Sequence, residues 1–126
     1  MIKVLVIATG GAVGALSRYY LTFFLQVQPG YSFPVGTLAV NLIGAFIIGI
    51  CTGIVHFSTM SENLRLLIMT GFLGALTTFS TYSIETVNLI KNNMLRYAIL
   101  NVAISTISGI LLAYAGYALI QLILEP

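Results

Sequence analysis

Charge is what this 126-residue chain has least of. Five Lys or Arg and three Asp or Glu make up 6% of it, where soluble domains carry roughly 25%. Apolar residues fill 59%, against roughly 45–50% in soluble domains. One compact domain is the expectation for this length, and a soluble fold of that size has too little interior to hide so much apolar surface. Lipid is therefore the solvent for much of the chain. Cysteine is nearly absent as well. The single Cys51 sits inside an apolar stretch, which excludes an intrachain disulfide, cannot build a metal cluster by itself, and reads as a small core residue. The net charge is only +2, with no basic run or basic–aromatic cluster, so nucleic acid is excluded as a partner. There is no paired carboxylate and no His/Cys cluster, so no enzyme emerges. The run Gly10-Gly11-Ala12-Val13-Gly14 lacks the strand–turn–helix context of a phosphate-binding loop.

What the chain does have is long apolar segments. A helix needs roughly 20 residues to cross the hydrocarbon core, and four segments qualify, at about 3–25, 33–56, 64–88 and 97–124. The last, from Tyr97 to Leu124, contains no charged residue, and the first is interrupted by Arg18. The opening Met1-Ile2-Lys3 followed by Val4 to Ala8 resembles a signal peptide. Three further long apolar segments follow, however, and a first transmembrane helix explains the same residues. Turns are expected at Gln28-Pro29-Gly30-Tyr31, at Ser58 to Asn63 and at Asn92-Asn93. The connections are so short that consecutive helices must run antiparallel, in a single transmembrane domain covering 1–126.

Four spans put both termini on one side of the membrane. Lys3 and Arg65 lie on that side; Arg18, Lys91 and Arg96 lie on the other. Cationic residues normally set orientation, and two against three is no bias. It reads either as a weakly determined single orientation or as insertion in both, which permits an antiparallel dimer. Four short helices alone make a poor pore, which independently favours an oligomer.

Small and polar residues mark where such helices meet. Gly10 and Gly14 form one GxxxG pattern, Gly49 and Gly53 another, and Gly71 and Gly74 a closer pair; in lipid these let helix backbones approach. The third segment holds Thr77, Thr78, Ser80, Thr81 and Ser83 together with Tyr82, within seven residues near mid-span. Unsatisfied polar groups are expensive there. A few hydroxyls can bond back to their own helix, but so many beside Gly74 point to a broken helix lining a polar cavity, because irregular backbone at that depth must be buried in protein or face water. A break frees carbonyls that can hold a small cation and amides that attract an anion. Phe79 and Tyr82, three apart, share a face if the helix resumes. They are ordinary core or lipid-facing aromatics on one reading, and anion contacts through their positive ring edges on the other. Asn41, mid-span in the second segment, is either interhelical glue or a donor to a dehydrated anion. Tyr97, Asn101 and Ser105 follow at i, i+4 and i+8, with Ser108 nearby, as one stripe that fits a pore lining or a helix contact. Arg18 and Glu85 face a vestibule or snorkel to the interface, and His56 reads as an interfacial residue.

Three motifs together resemble the Fluc, or CrcB-type, fluoride channels. They are Gly10-Gly11-Ala12-Val13-Gly14-Ala15 with Arg18-Tyr19; Gly36-Thr37-Leu38 with Val40-Asn41 and Gly44; and Gly71-Phe72 through Thr77-Thr78-Phe79-Ser80-Thr81-Tyr82-Ser83 with Glu85. The third is highly specific, and their order and spacing cover nearly the whole chain. The resemblance implies an all-α membrane protein of four transmembrane helices with the third broken mid-span. It implies a dual-topology antiparallel homodimer with two fluoride pores, each lined by both subunits. It implies a structural, non-transported Na+ ion at the dimer interface, held by the backbone carbonyls of Gly74 and Thr77 from each subunit. Phe79 and Tyr82 correspond to the family's pore aromatics and Asn41 to its pore asparagine, with Ser80, Thr81 and the Tyr97–Asn101–Ser105 stripe as polar lining and Arg18 near a vestibule. The chain departs from the pattern twice: Tyr82 stands where Phe is usual, and Ala75 where a second glycine is. The expected function is passive fluoride export from a bacterial cytoplasm across the cell membrane. A proton-coupled small multidrug exporter also has four helices, but requires a carboxylate deep in its first span, which this segment lacks. A non-transporting assembly subunit remains the reading if the polar third helix is buried and dry.

Overall fold

Hydrocarbon offers no hydrogen bonds, so a chain within it must satisfy its own backbone, and helices do so inside each segment. The computed structural model describes residues 1–26 and 33–124; the turn expected at Gln28 to Tyr31 lies outside them. Four helical segments are long and apolar enough to cross a membrane: Ile2–Leu25, Val35–Phe57, Glu62–Lys91 and Leu95–Leu124. The third is in two pieces. The helices are therefore α1 (Ile2–Leu25), α2 (Val35–Phe57), α3 (62–76), α4 (Phe79–Lys91) and α5 (Leu95–Leu124).

Local chemistry sets several of the boundaries. Extended backbone at Ser58 ends α2. Ser61 caps α3 by accepting the Leu64 N–H at 3.4 Å, with Glu62 in the first turn where an acidic group favours the helix dipole. Lys3 at the start of α1 pairs with Glu62, tying these two helix ends together. At the end of α4, Asn93 adopts a left-handed φ of 59°, a conformation Asn tolerates. The Asn93 N–H then reaches the Ile90 carbonyl at 3.0 Å and the Met94 N–H reaches Leu89 at 2.9 Å. That Schellman arrangement turns the chain directly into α5.

Two close helix pairs organise the bundle: α1 packs on α3, and α2 packs on α5. Glycine makes both seams possible. A Cβ on Gly14 would fall on the Phe72 carbonyl and one on Gly10 on the Leu67 carbonyl, while one on Gly71 would lie 2.7 Å from the Ile7 carbonyl. Across the other seam, a Cβ on Gly49 would strike the Ala113 carbonyl and one on Gly116 the Phe46 carbonyl. Both GxxxG patterns thus serve backbone-to-backbone packing. A small core of Val40, Cys51, Leu73 and Leu76 joins α2 to α3. Facing the α1 glycines, Leu66–Leu73 of α3 winds as a π-helix. That wide form is rare and occurs mostly as single turns, often beside functional sites. Nothing in the apolar run Leu66-Leu67-Ile68-Met69 distinguishes it in sequence from an ordinary α-helix.

Replacing Gly14 by Val is expected to force α1 off α3, at a cost of about 3 kcal/mol or more. Gly11→Ala is expected to cost nothing and to gain up to about 1 kcal/mol of helix propensity, because a Cβ there meets its nearest atom, the Gly71 carbonyl, only at 3.9 Å. Thermal unfolding of the two purified variants in detergent measures the difference.

Candidate functional site: the broken third span

The hydroxyl-rich run and Gly74 predict a break, and it falls between Leu76 and Phe79, near the middle of the third span. Thr77 (ψ 151°) ends α3 and Thr78 (φ −146°, ψ 114°) precedes α4, both extended. Side chains organise the gap. The Thr78 hydroxyl accepts the Thr81 N–H at 3.2 Å as an N-cap, donates to the Thr81 hydroxyl at 2.9 Å and lies 3.2 Å from the Ser80 hydroxyl. From α2, Asn41 holds the same residue by its backbone: its Oδ1 accepts the Thr78 N–H at 2.8 Å and its Nδ2 donates to the Thr78 carbonyl at 3.2 Å. One Asn41 amide hydrogen is left for another acceptor. On the α3 side, both the N–H and the hydroxyl of Thr77 donate to the Leu73 carbonyl, at 3.0 and 2.9 Å. The Thr77 methyl occupies the space that a Cβ on Gly44 would fill, so α2 shapes the break at two points one turn apart.

The break opens onto a groove of about 500 Å³ lined by Asn41, Gly44, Gly74, Thr77, Thr78, Phe79 and Tyr82, with Ser105, Thr106 and Gly109 from α5. Gly74 and Gly109 differ from the packing glycines. The nearest atom to a Cβ on Gly74 is 3.8 Å away, and Gly109 has none within 4 Å, so both leave bare backbone toward the groove. Phe79 and Tyr82 do share a face, their ring centroids 5.5 Å apart and tilted by 42°. Phe79 is 80% exposed, a large apolar ring at the rim of a polar break.

Beyond the break a chain of polar contacts runs between α4 and α5. Asn101, 1% exposed, donates to the Thr86 hydroxyl at 2.9 Å, and its Oδ1 accepts the Ser105 hydroxyl at 3.5 Å. Tyr97 stands apart from this pair, its ring 6.2 Å from that of Phe33. Glu85 is half-buried, with Oε1 accepting the hydroxyl of buried Thr37 at 2.7 Å and Oε2 buried with no hydrogen-bond partner among the described residues. It lines a second cavity, of about 370 Å³, with Thr22, Asn88 and Asn92. Arg18 is half-buried on α1 and is not among the lining residues of either cavity, though Thr22, one turn further along the helix, lines the second. No group of three or more His, Cys, Asp or Glu side chains is placed to hold a metal among the described residues.

Thr37, Thr78 and Thr86 complete these contacts, and sequence reasoning passed over each of them as a site residue. The partners are distant along the chain, Thr37 from Glu85 and Asn41 from Thr78, and a common hydroxyl residue gives no signal of such a pairing.

Comparison with known proteins identifies the family. The CrcB-like protein family, described also as camphor resistance, matches residues 5–117. A Citrifermentans bemidjiense protein named fluoride-specific ion channel FluC is 47% identical over 120 residues, covering 92% of this chain and 94% of that protein. Proteins of the same name from Shewanella frigidimarina and Maridesulfovibrio salexigens are each 43% identical. The first of these alignments covers 95% of this chain and 97% of the relative, and the second 99% and 100%.

Thr37→Val removes the hydrogen bond that Thr37 makes to the Glu85 carboxyl and is expected to destabilise the protein by about 1–3 kcal/mol. Thr37→Ser keeps the hydroxyl and should melt close to wild type. The two thermal midpoints, compared in detergent, test the pairing.

Proposed function

The chain belongs to the CrcB-like family, and on that premise we propose that it is a fluoride-selective channel, built from two antiparallel copies, that lets fluoride leave the cytoplasm down its gradient. It is a multi-pass protein of the bacterial cell membrane and not an enzyme. The observation that carries the reading is the interrupted third span. At mid-membrane depth it brings hydroxyls, the Asn41 amide and two aromatic rings to the rim of one groove, and relatives similar along nearly their full length are named fluoride-specific ion channels.

Fluoride is small and strongly hydrated, so only closely spaced donors can replace its water. Conduction requires several moderate sites in series so that the ion can leave as readily as it enters. Asn41, Thr77, Thr78, Phe79, Tyr82 and Ser105 line the groove and offer such a series; Ser80 and Thr81 adjoin it through their hydroxyl contacts with Thr78, and Asn101, 1% exposed, is bonded to Ser105. A narrow path of this kind excludes the larger chloride. Export protects a cell because hydrogen fluoride enters from acid surroundings and dissociates inside, and the channel returns the trapped anion. Tyr97 and Arg18, which are not among the groove's lining residues, suit an entrance better than the constriction.

Two features support the second copy. The exposed Phe79 ring and the open backbone at Gly74 and Gly109 border a groove that one protomer leaves uncovered, and the even distribution of cationic residues permits insertion in both orientations. The implied sodium ion fits the residues present. Among the described residues no hydrogen bond reaches the Gly74 or Thr77 carbonyl, and unwound backbone carbonyls are suited to sodium in membrane proteins. Gly74 and Thr77 from each copy would hold it, and it would supply the positive charge that neutralises four converging carbonyl dipoles.

The test is efflux from liposomes containing the purified protein, read with fluoride and chloride electrodes. Fluoride is expected to leave rapidly while chloride is retained; equal release of both, or no fluoride release, rejects the channel. Phe79→Ala is expected to cut fluoride flux by about tenfold, the equivalent of about 1.4 kcal/mol, with the dimer intact on size-exclusion chromatography.

A further inference from the structure

We infer that Asn41 and Thr78 are positioning residues: together they draw away the two backbone N–H groups that would otherwise close onto the Gly74 and Thr77 carbonyls, and so keep those oxygens available to a small, hard cation. In a continuous helix each N–H bonds the carbonyl four residues earlier. The natural donor for Gly74 is therefore the Thr78 N–H, and for Thr77 it is the Thr81 N–H. Each is engaged elsewhere. The Thr78 N–H donates to Asn41 Oδ1 at 2.8 Å, and the Thr81 N–H donates to the Thr78 hydroxyl at 3.2 Å.

Helix capping alone explains only part of this. An N-cap accounts for the Thr78 hydroxyl on the Thr81 N–H, since α4 must satisfy its first donors. It does not account for Asn41, which comes from a different helix and grips both backbone polar atoms of Thr78. A polar side chain that served only to join α2 to α4 has hydroxyls to bond at the break; Asn41 bonds backbone instead. Its grip is on the residue whose N–H decides whether Gly74 is capped. One turn along α2, Gly44 leaves the space into which Thr77 fits, so the same helix fixes the residue carrying the second carbonyl. The two diverted donors belong to the two carbonyls assigned to sodium on separate grounds. The inference rests on that sodium reading.

The experiment follows thermal unfolding and the dimer fraction of the full-length protein in detergent as sodium chloride replaces N-methylglucamine chloride at constant ionic strength. The quantity read is the sodium concentration at half effect, which a general loss of stability would leave in place. Wild type is expected to be stabilised by sodium. Thr78→Val and Asn41→Ala should each require about tenfold more sodium, the effect of one lost hydrogen bond at a buried site. Thr78→Ser, which keeps the accepting hydroxyl, should titrate near wild type. If Asn41→Ala fails to fold, the two Thr78 variants decide. A sodium-responsive wild type with Thr78→Val titrating at the same concentration overturns this inference alone. A wild type indifferent to sodium overturns the sodium site and this inference with it.

Discussion

A backbone that leaves helical geometry in the middle of a bilayer must find a partner for every N–H and C=O it exposes, because the surrounding hydrocarbon supplies none. This chain breaks its third span at Thr77 and Thr78 and satisfies the donors first. Asn41 takes the Thr78 N–H and Thr78 takes the Thr81 N–H. Satisfying those donors from side chains strands the carbonyls of Gly74 and Thr77, so one defect yields two kinds of chemistry. The α3 side presents bare carbonyl oxygen, suited to a cation, and the α4 side presents a helix N-terminus, hydroxyls and ring edges, suited to an anion. The hydroxyl-rich sequence is what makes the break affordable.

Packing elsewhere keeps that defect accessible. The glycine seams lock α1 against α3 and α2 against α5 with backbones nearly touching. Those pairs fix the positions of Asn41 and of the α3 end without drawing on the residues at the groove. Gly74 and Gly109 are spared from packing inside the protomer. A helix carries such residues at a cost of about 1 kcal/mol each relative to alanine, which makes sense where something from outside must come close. The exposed Phe79 ring says the same of the apolar rim, since lipid would cover the ring but would not complete the polar wall beside it.

Much of this was legible in the sequence, for identifiable reasons. Near-absence of charge and four long apolar segments require a membrane protein, and five hydroxyl residues within seven near Gly74 require the third helix to open. The match of three motifs named the family, to which the chain belongs. Other features left no trace. The π-helical stretch, which packs against α1, is written in ordinary apolar residues that carry no local signal for it. Asn41 was readable as a buried amide that either glues helices or meets an anion. The structure shows most of its bonding capacity directed at Thr78, a relation across 37 residues that no periodicity reveals. The i, i+4, i+8 stripe on α5 keeps Asn101 and Ser105 together, but the Tyr97 ring lies beside Phe33, just before α2, a neighbour that the spacing on α5 does not reveal. Glu85, a conspicuous charge within a span, found its partner in Thr37, which had seemed unremarkable.

The proposed second copy, inverted and facing the same depth of membrane, would meet both the stranded carbonyls and the open groove. Pulsed electron paramagnetic resonance on a Lys91→Cys, Cys51→Ala protein, spin-labelled at residue 91 and reconstituted in bilayers, measures this most directly. Antiparallel copies place the two labels on opposite faces, at least about 30 Å apart, the thickness of the hydrocarbon core. A single shorter distance of about 20 Å or less, as expected for copies packed side by side on one face with helices 8–10 Å apart, would contradict the inverted pairing.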